Sequence, residues 1–324
     1  MPPKRDRQGD PKPRGSKQAP REIVRNAYTP MFEGFRDELD RHHDRRERIV
    51  KASRDITALS KKIIFSLQRV RKIHSDLPAH VQADMRSRLA EVAKLFASIA
   101  VDVQGANRYR YARQLACVEE LVEALTFAHY LRHQCLMTHG ETVVAVARLC
   151  ADAAAVEEET KSKEREGGDT AMADVDDSAP TPKQEEEGEE APAEQKQPLV
   201  VDVTTDDFLM GVFDLSGEMM RFATTTAAFN GELATSSTEP AAAPEGGAGE
   251  ERKRTILADM QELGTLFQML PQRYDKTYQI KMSTLHQSVG KVEALGYELK
   301  VRGSERPKGW MPDMADGPSA DAEE

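Results

Sequence analysis

The chain has 324 residues, with 45 Lys and Arg against 55 Asp and Glu, a single Trp, three Cys and a formal charge of −10. No apolar run approaches the roughly 20 residues that a bilayer crossing needs, the longest being Val143 to Ala147. Cys117, Cys135 and Cys150 are too few and odd in number for a disulfide scaffold, and the first twenty residues have no apolar centre, so no cleavable leader is expected. A protein of the cytoplasm and nucleus, with no membrane contact, is the expectation.

The negative charge would argue against a nucleic-acid partner if it lay on the folded body. Between Glu157 and Pro198, however, fifteen acids face five bases, so this segment alone carries −10. Residues 1–21 carry +5, residues 312–324 carry −5, and the remainder holds 33 charges of each sign. The basic tail 1–21, the acidic insertion 157–198, the loop 235–250 and the acidic tail 312–324 lack apolar periodicity and are expected to be disordered. A single folded domain over 22–311, interrupted twice, is what remains.

That body reads as helix. A seven-residue step joins Phe35, His42, Ile49, Ile56, Ile63 and Val70, interleaved with Phe32, Leu39, Arg46, Ser53, Ser60 and Leu67. The three-four alternation predicts one very long helix over about 23–74, about 75 Å at 1.5 Å per residue, with Pro78 as its stop. Val81, Met85, Leu89, Val92, Phe96, Ile99 and Val103 write a second helix. A third, over about 107–137, is apolar on more than one face and belongs inside a bundle. A short helix near 141–157 precedes the insertion. Phe208, Val212, Leu215, Met219 and Phe222 mark the next, over 205–230. Two more are expected near 250–270 and 272–302, with a short one at 311–316. Period-two alternation is almost absent. The expectation is an all-α, elongated bundle of about seven helices.

Two carboxylate pairs stand out. Glu120 and Glu123 lie three residues apart on the third helix, on adjacent turns of one face that continues through Phe127 and Tyr130. Two inward carboxylates repel and raise each other's pKa, which a divalent cation would relieve; on spacing alone, a solvated pair is the simpler reading. Asp214 and Glu218 lie four apart on the 205–230 helix, beside Gly211 and the mid-helix Gly217, which close approach of another group would explain. Their simpler reading is a surface Glu218–Arg221 bridge. Together the four form a hard oxygen set of the kind taken by Mg²⁺ or Mn²⁺.

Other chemistries find no support. No Glu has a His three residues later, as a ferritin-type centre requires. His129 and His133 lie on the opposite side of the third helix from Glu120 and read as a surface pair. The run Asn107 to Arg113 (NRYRYAR) places Arg108, Arg110 and Arg113 among two tyrosines, suited to phosphate contact and base stacking. On a continuous helix Arg113 and Glu120 would share a face about 10 Å apart. A solvated helix start fits the same residues. Lys61, Lys62, Arg69, Arg71 and Lys72 read as the wet side of the first helix.

Four stretches, FRDELDRHHDRRERIVKASRDITALSKKIIF, EELVEALTFAHYL, FLMGVFDLSGEMMRF and TLHQSVGKVEALGYELKVRGSERPK, together resemble the translin family. The last is closer to its translin-associated factor X (TRAX) branch than to the translin branch. The resemblance implies an all-helical fold and a hetero-oligomeric shell with translin. It further implies an Mg²⁺-dependent endoribonuclease for single-stranded or nicked RNA, acting in RNA silencing or tRNA-leader processing. By position its E-x-x-E and D-L-x-G-E residues are Glu120, Glu123, Asp214 and Glu218. A non-catalytic, RNA-binding structural partner of translin is the alternative.

Overall fold

The computed structural model describes residues 25–166, 199–235, 254–271 and 273–302. The two expected tails, most of the acidic insertion, nearly all of the 235–250 loop and the short helix at 311–316 lie outside them. The chain divides into residues 1–45 and residues 46–324. In the first unit the described residues start helix α1 (Thr29–Leu67). Asn26 prepares that start: its Oδ1 accepts from the Tyr28 N–H, and its own N–H donates to Thr29 Oγ1. Phe32 and Phe35 meet edge-on at 6.1 Å and, with Tyr28 and Leu39, are exposed.

The second unit holds the core. Helices α2 (Ala79–Ala100), α3 (Ala106–Arg110), α4 (Cys117–His133), α5 (His139–Glu166), α6 (Thr205–Asn230), α7 (Ile256–Gln268) and α8 (Lys276–Arg302) follow in order, with 3-10 turns at Val101–Val103 and Ala112–Leu115. Among the described residues the only β pairing is an isolated bridge between Thr235 and Thr255. The all-α expectation holds. Among the described residues, no helix is long and apolar enough to cross a membrane.

Two apolar clusters organise this unit. Ile49 and Ile56 of α1 join Val92, Phe96 and Ile99 of α2 and Leu121 and Val122 of α4. Ile63 and Leu67 join Phe127 and Leu131 of α4, Leu215 and Met219 of α6, Phe267 of α7 and Leu285 of α8. The seven-residue step therefore identified the buried face of α1 from Ile49 onward, with Ser53 and Ser60 also buried in the seam.

Three boundaries differ from expectation. Helix α1 ends at Leu67, not near His74, because Val70, Ile73 and Leu77 turn into the core as irregular chain and the His74 N–H donates to Leu131 O at 3.0 Å. Pro78 then becomes the N-cap of α2. The third predicted helix is three pieces, α3, a 3-10 turn and α4, separated at Tyr111 with ψ near 18°. Helix α5 runs on to Glu166, so the first ten residues assigned to the acidic insertion are helical.

Candidate active site

The site lies where α4 and α6 cross. Gly211 sets their separation: a Cβ there would stand 2.7 Å from Glu119 O and from Val122 Cβ, closer than any real contact allows. A Cβ at Gly217, by contrast, would meet nothing within 4 Å outside its own turn of helix, so the close approach suspected there belongs to Gly211. The start of α6 is fixed by a capping box, in which Asp207 N donates to Thr204 Oγ1 while Asp207 Oδ2 accepts from Thr204 N at 2.8 Å.

This crossing brings both predicted pairs to one place. Glu123 and Glu218 are buried and Glu120 is half-buried, while Asp214 keeps 39% of its side chain exposed. The solvated reading fails for Glu123. Burial, then the charges of Asp214, Glu120 and Glu218, push the Glu123 carboxyl up to about 8. No cation pairs with it within ion-pair distance among the described residues. Glu120 is also raised, by burial against the opposing pull of Lys61, whose Nζ is 3.8 Å from Glu120 Oε2. The Glu218–Arg221 bridge is present at 3.7 Å, but it joins a buried carboxylate to an exposed guanidinium.

Three groups absent from the sequence-based site complete it. Lys281 of α8 donates to Asp214 Oδ2 at 2.7 Å, to Glu119 Oε2 at 3.2 Å and to the Met210 carbonyl at 3.1 Å. Burial works against its charge, yet these two acids hold its pKa above the ordinary lysine value. Glu119, raised by burial, is thereby paired with Lys281. Gln68, just past α1, donates to Glu218 Oε2 at 2.7 Å. A signal for Lys281 did exist: it interrupts the buried stripe Tyr278, Leu285, Ser288, Val292, Leu295 at the place where a core residue is due.

The arginine run divides. Arg108 is buried; its guanidinium pairs with Asp207 and donates to the Asp202 carbonyl at 2.9 Å. It ties the chain before α6 to α3 and presents nothing to a ligand. Arg110, Arg113 and Tyr109 are exposed, while Tyr111 is buried. The break at Tyr111 also removes the shared helix face from which a 10 Å Arg113–Glu120 spacing followed. The His129 and His133 rings meet at 4.6 Å, tilted by 47°, with His129 Nε2 3.4 Å from Cys135 Sγ.

Among the described residues, no three His, Cys, Asp or Glu groups stand together as a ready metal site. In charge and donor type the four carboxylates suit a divalent cation nonetheless. All the donors are hard oxygens, and the unpaired, buried Glu123 carries the repulsion that such an ion relieves. Lys281 and Gln68 are what hold Asp214 and Glu218 in their present positions.

Comparison with known proteins places the chain. The Translin family model matches residues 44–303. The chain belongs to the Translin family. Curated Translin-family relatives include Translin-associated protein X of Rattus norvegicus, 28% identical over 284 residues that cover 87% of this chain and 82% of the relative. The Pongo abelii protein of that name is 27% identical over 293 residues, covering 89% and 85%. The solved structure of apo-NeC3PO aligns with 83% of this chain and 97% of its own at 13% identity and TM-score 0.48. The four sequence stretches thus pointed to the right family.

Proposed function

We propose that this Translin-family chain is the catalytic subunit of a translin-type complex, an Mg²⁺-dependent endoribonuclease that cleaves single-stranded or nicked RNA. The observation that carries this reading is the convergence of Glu120, Glu123, Asp214 and Glu218 from two helices, with the buried Glu123 pushed up to about 8. A structural subunit has no use for such a repulsive set.

Glu120, Glu123, Asp214 and Glu218 would hold Mg²⁺, with Mn²⁺ as a substitute. Held by these four carboxylates, such an ion would supply an activated water and countercharge for the scissile phosphate. The chain's own contribution is positioning. Gln68 orients Glu218, and Lys281 orients Asp214 while also binding Glu119. The cluster also keeps a proton on Glu123 up to about pH 8 until a cation displaces it.

Translin is the partner of the reading, since two relatives are named for their association with it. Arg110 and Arg113, both exposed, are the residues of the 107–113 run assigned to RNA. Passenger-strand removal in RNA silencing and tRNA-leader trimming, in cytoplasm and nucleus, are the settings. Glu123→Ala or Asp214→Ala should abolish Mg²⁺-dependent cleavage of single-stranded RNA while the assembly survives; full retained activity sinks the reading. A second reading, a non-catalytic RNA-binding partner of translin, is favoured by Lys281, which already neutralises Asp214 and Glu119. RNA binding by the assembly with no cleavage in Mg²⁺ decides for it.

A further inference from the structure

The last two turns of α1 and the turn after it, where the Gln68 N–H still donates to the Ile64 carbonyl at 2.9 Å, carry two sets of side chains that merge into one face. With the helical step of 100° per residue carried on from Leu67 into that turn, Gln68, Lys61, Phe65, Arg69, Lys62 and Ser66 follow one another around about 160°. The first two reach the carboxylates: Gln68 Nε2 is 2.7 Å from Glu218 Oε2, and Lys61 Nζ is 3.8 Å from Glu120 Oε2. The remaining four, again with Lys61, line a groove of about 420 Å³ closed on its far side by His80, Asp84 and Arg88 at the start of α2.

The groove is basic and has an aromatic floor. Its single acid, Asp84, is bound by Arg88 with an Nε–Oδ1 distance of 2.8 Å and is held below the ordinary carboxylate range chiefly by that hydrogen bond. With Asp84 answered by Arg88 and Lys61 shared with Glu120, Lys62 and Arg69 contribute their charge outward, with His80 beside them. Between them Phe65 is 65% exposed, although its neighbours Ile63, Ile64 and Leu67 are buried. An exposed ring flanked by cations within one or two helical turns offers a stacking surface and phosphate contacts together.

We propose that this groove binds an unpaired nucleotide of a single-stranded RNA, stacking its base on Phe65 and its phosphates against Lys62, Arg69 and Lys61, so that the strand continues onto the carboxylate cluster. This rests on the reading of RNA as the substrate. Stacking requires an accessible base face, which a duplex interior lacks, so the groove selects single strands. An acidic peptide would satisfy the cations but leave Phe65 unused, and the test separates the two.

The full chain is titrated in chelator with a labelled oligouridine, by fluorescence anisotropy. Phe65→Ala should weaken binding about ten-fold and erase the wild-type preference for oligouridine over an abasic strand of equal length. Lys62→Gln with Arg69→Gln should weaken binding at low salt and reduce the slope of log affinity against log salt by about 1.4. All three side chains are exposed, and unchanged thermal melts confirm that the variants fold. Affinity unaffected by Phe65→Ala, equal binding of the abasic strand, or equal displacement of RNA by a polyglutamate peptide of matched charge would each overturn the groove. Because chelator removes any metal-dependent cleavage, the two readings fail separately. Phe65-dependent binding without Mg²⁺-dependent cleavage overturns only the nuclease, and cleavage without Phe65 dependence overturns only the groove.

Discussion

Lys281 Nζ lies 2.7 Å from Asp214 Oδ2 and 3.2 Å from Glu119 Oε2, so one ammonium group from α8 closes a gap between an acid on α6 and an acid on α4. Its third proton goes to the Met210 carbonyl, one residue before the glycine at which the two helices touch. The lysine is therefore both a countercharge and a fastener of three helices. Lys281→Met should leave both acids uncompensated and lower stability by about 1–3 kcal/mol, a figure reduced from that of a fully buried pair because Asp214 is partly solvated. Lys281→Arg should recover part of the loss. Urea denaturation in chelator measures this, and a midpoint unchanged in Lys281→Met would show the ammonium to be dispensable.

The raised Glu123 carboxyl makes stability depend on pH in a definite direction. In the unfolded chain it titrates near about 4.3; in the folded chain, burial and the charges of Asp214, Glu120 and Glu218 move it to about 8. Between these values the folded state binds the proton that the unfolded state has released, so stability falls as pH rises from about 4.3 to about 8 and levels off above. Glu123→Gln removes the effect. In chelator the variant should match wild type near pH 4 and exceed it at pH 8 by on the order of 1–3 kcal/mol. A wild-type minus variant difference that stays constant over this range would contradict the burial of a repelled carboxyl.

The two carboxylate pairs were legible from spacing, as was the buried face of α1 from Ile49 to Leu67. Spacing could not show that they converge, because convergence depends on the crossing of α4 and α6. That crossing is set by Gly211, a residue that looks no different in sequence from the uncrowded Gly217. The break at Tyr111 was hidden for a different reason. Arg108, Tyr111, Leu115, Val118 and Val122 are all buried and keep a three-four step across it, so the apolar pattern of a continuous helix survives a chain that is not one. Lys281 and Gln68 were missed because each acts through a partner far away in sequence.

Arg108 and its neighbours separate two roles that composition alone merges. Arg108 is buried against Asp207, whose carboxylate also accepts from Thr204 in the cap of α6. Arg108→Met should cost about 3–5 kcal/mol by stranding that charge, visible as a lower melting temperature with no RNA present. Arg113→Gln should leave the melt unchanged and weaken RNA binding at low salt, lowering the salt slope by about 0.7. If Arg108→Met melts like wild type while losing RNA, the buried pair is not what positions α6.

The two glycines of α6 should respond to the same substitution in opposite directions. At Gly217 the surroundings are open, so Gly217→Ala gains helix propensity and should stabilise by up to about 1 kcal/mol. At Gly211 the same methyl must displace the Glu119 carbonyl and Val122, neither of which is the free end of a long side chain. The helices must part there, at a cost of about 1–3 kcal/mol beyond any propensity gain. Parting them moves Glu120 and Glu123 away from Asp214 and Glu218. Gly211→Ala should therefore also bring the Glu123 titration back toward the ordinary carboxylate value, readable as a flatter pH dependence of stability. Equal effects at the two positions would mean that α4 and α6 do not meet at Gly211, and the four carboxylates would lose the geometry that brings them together.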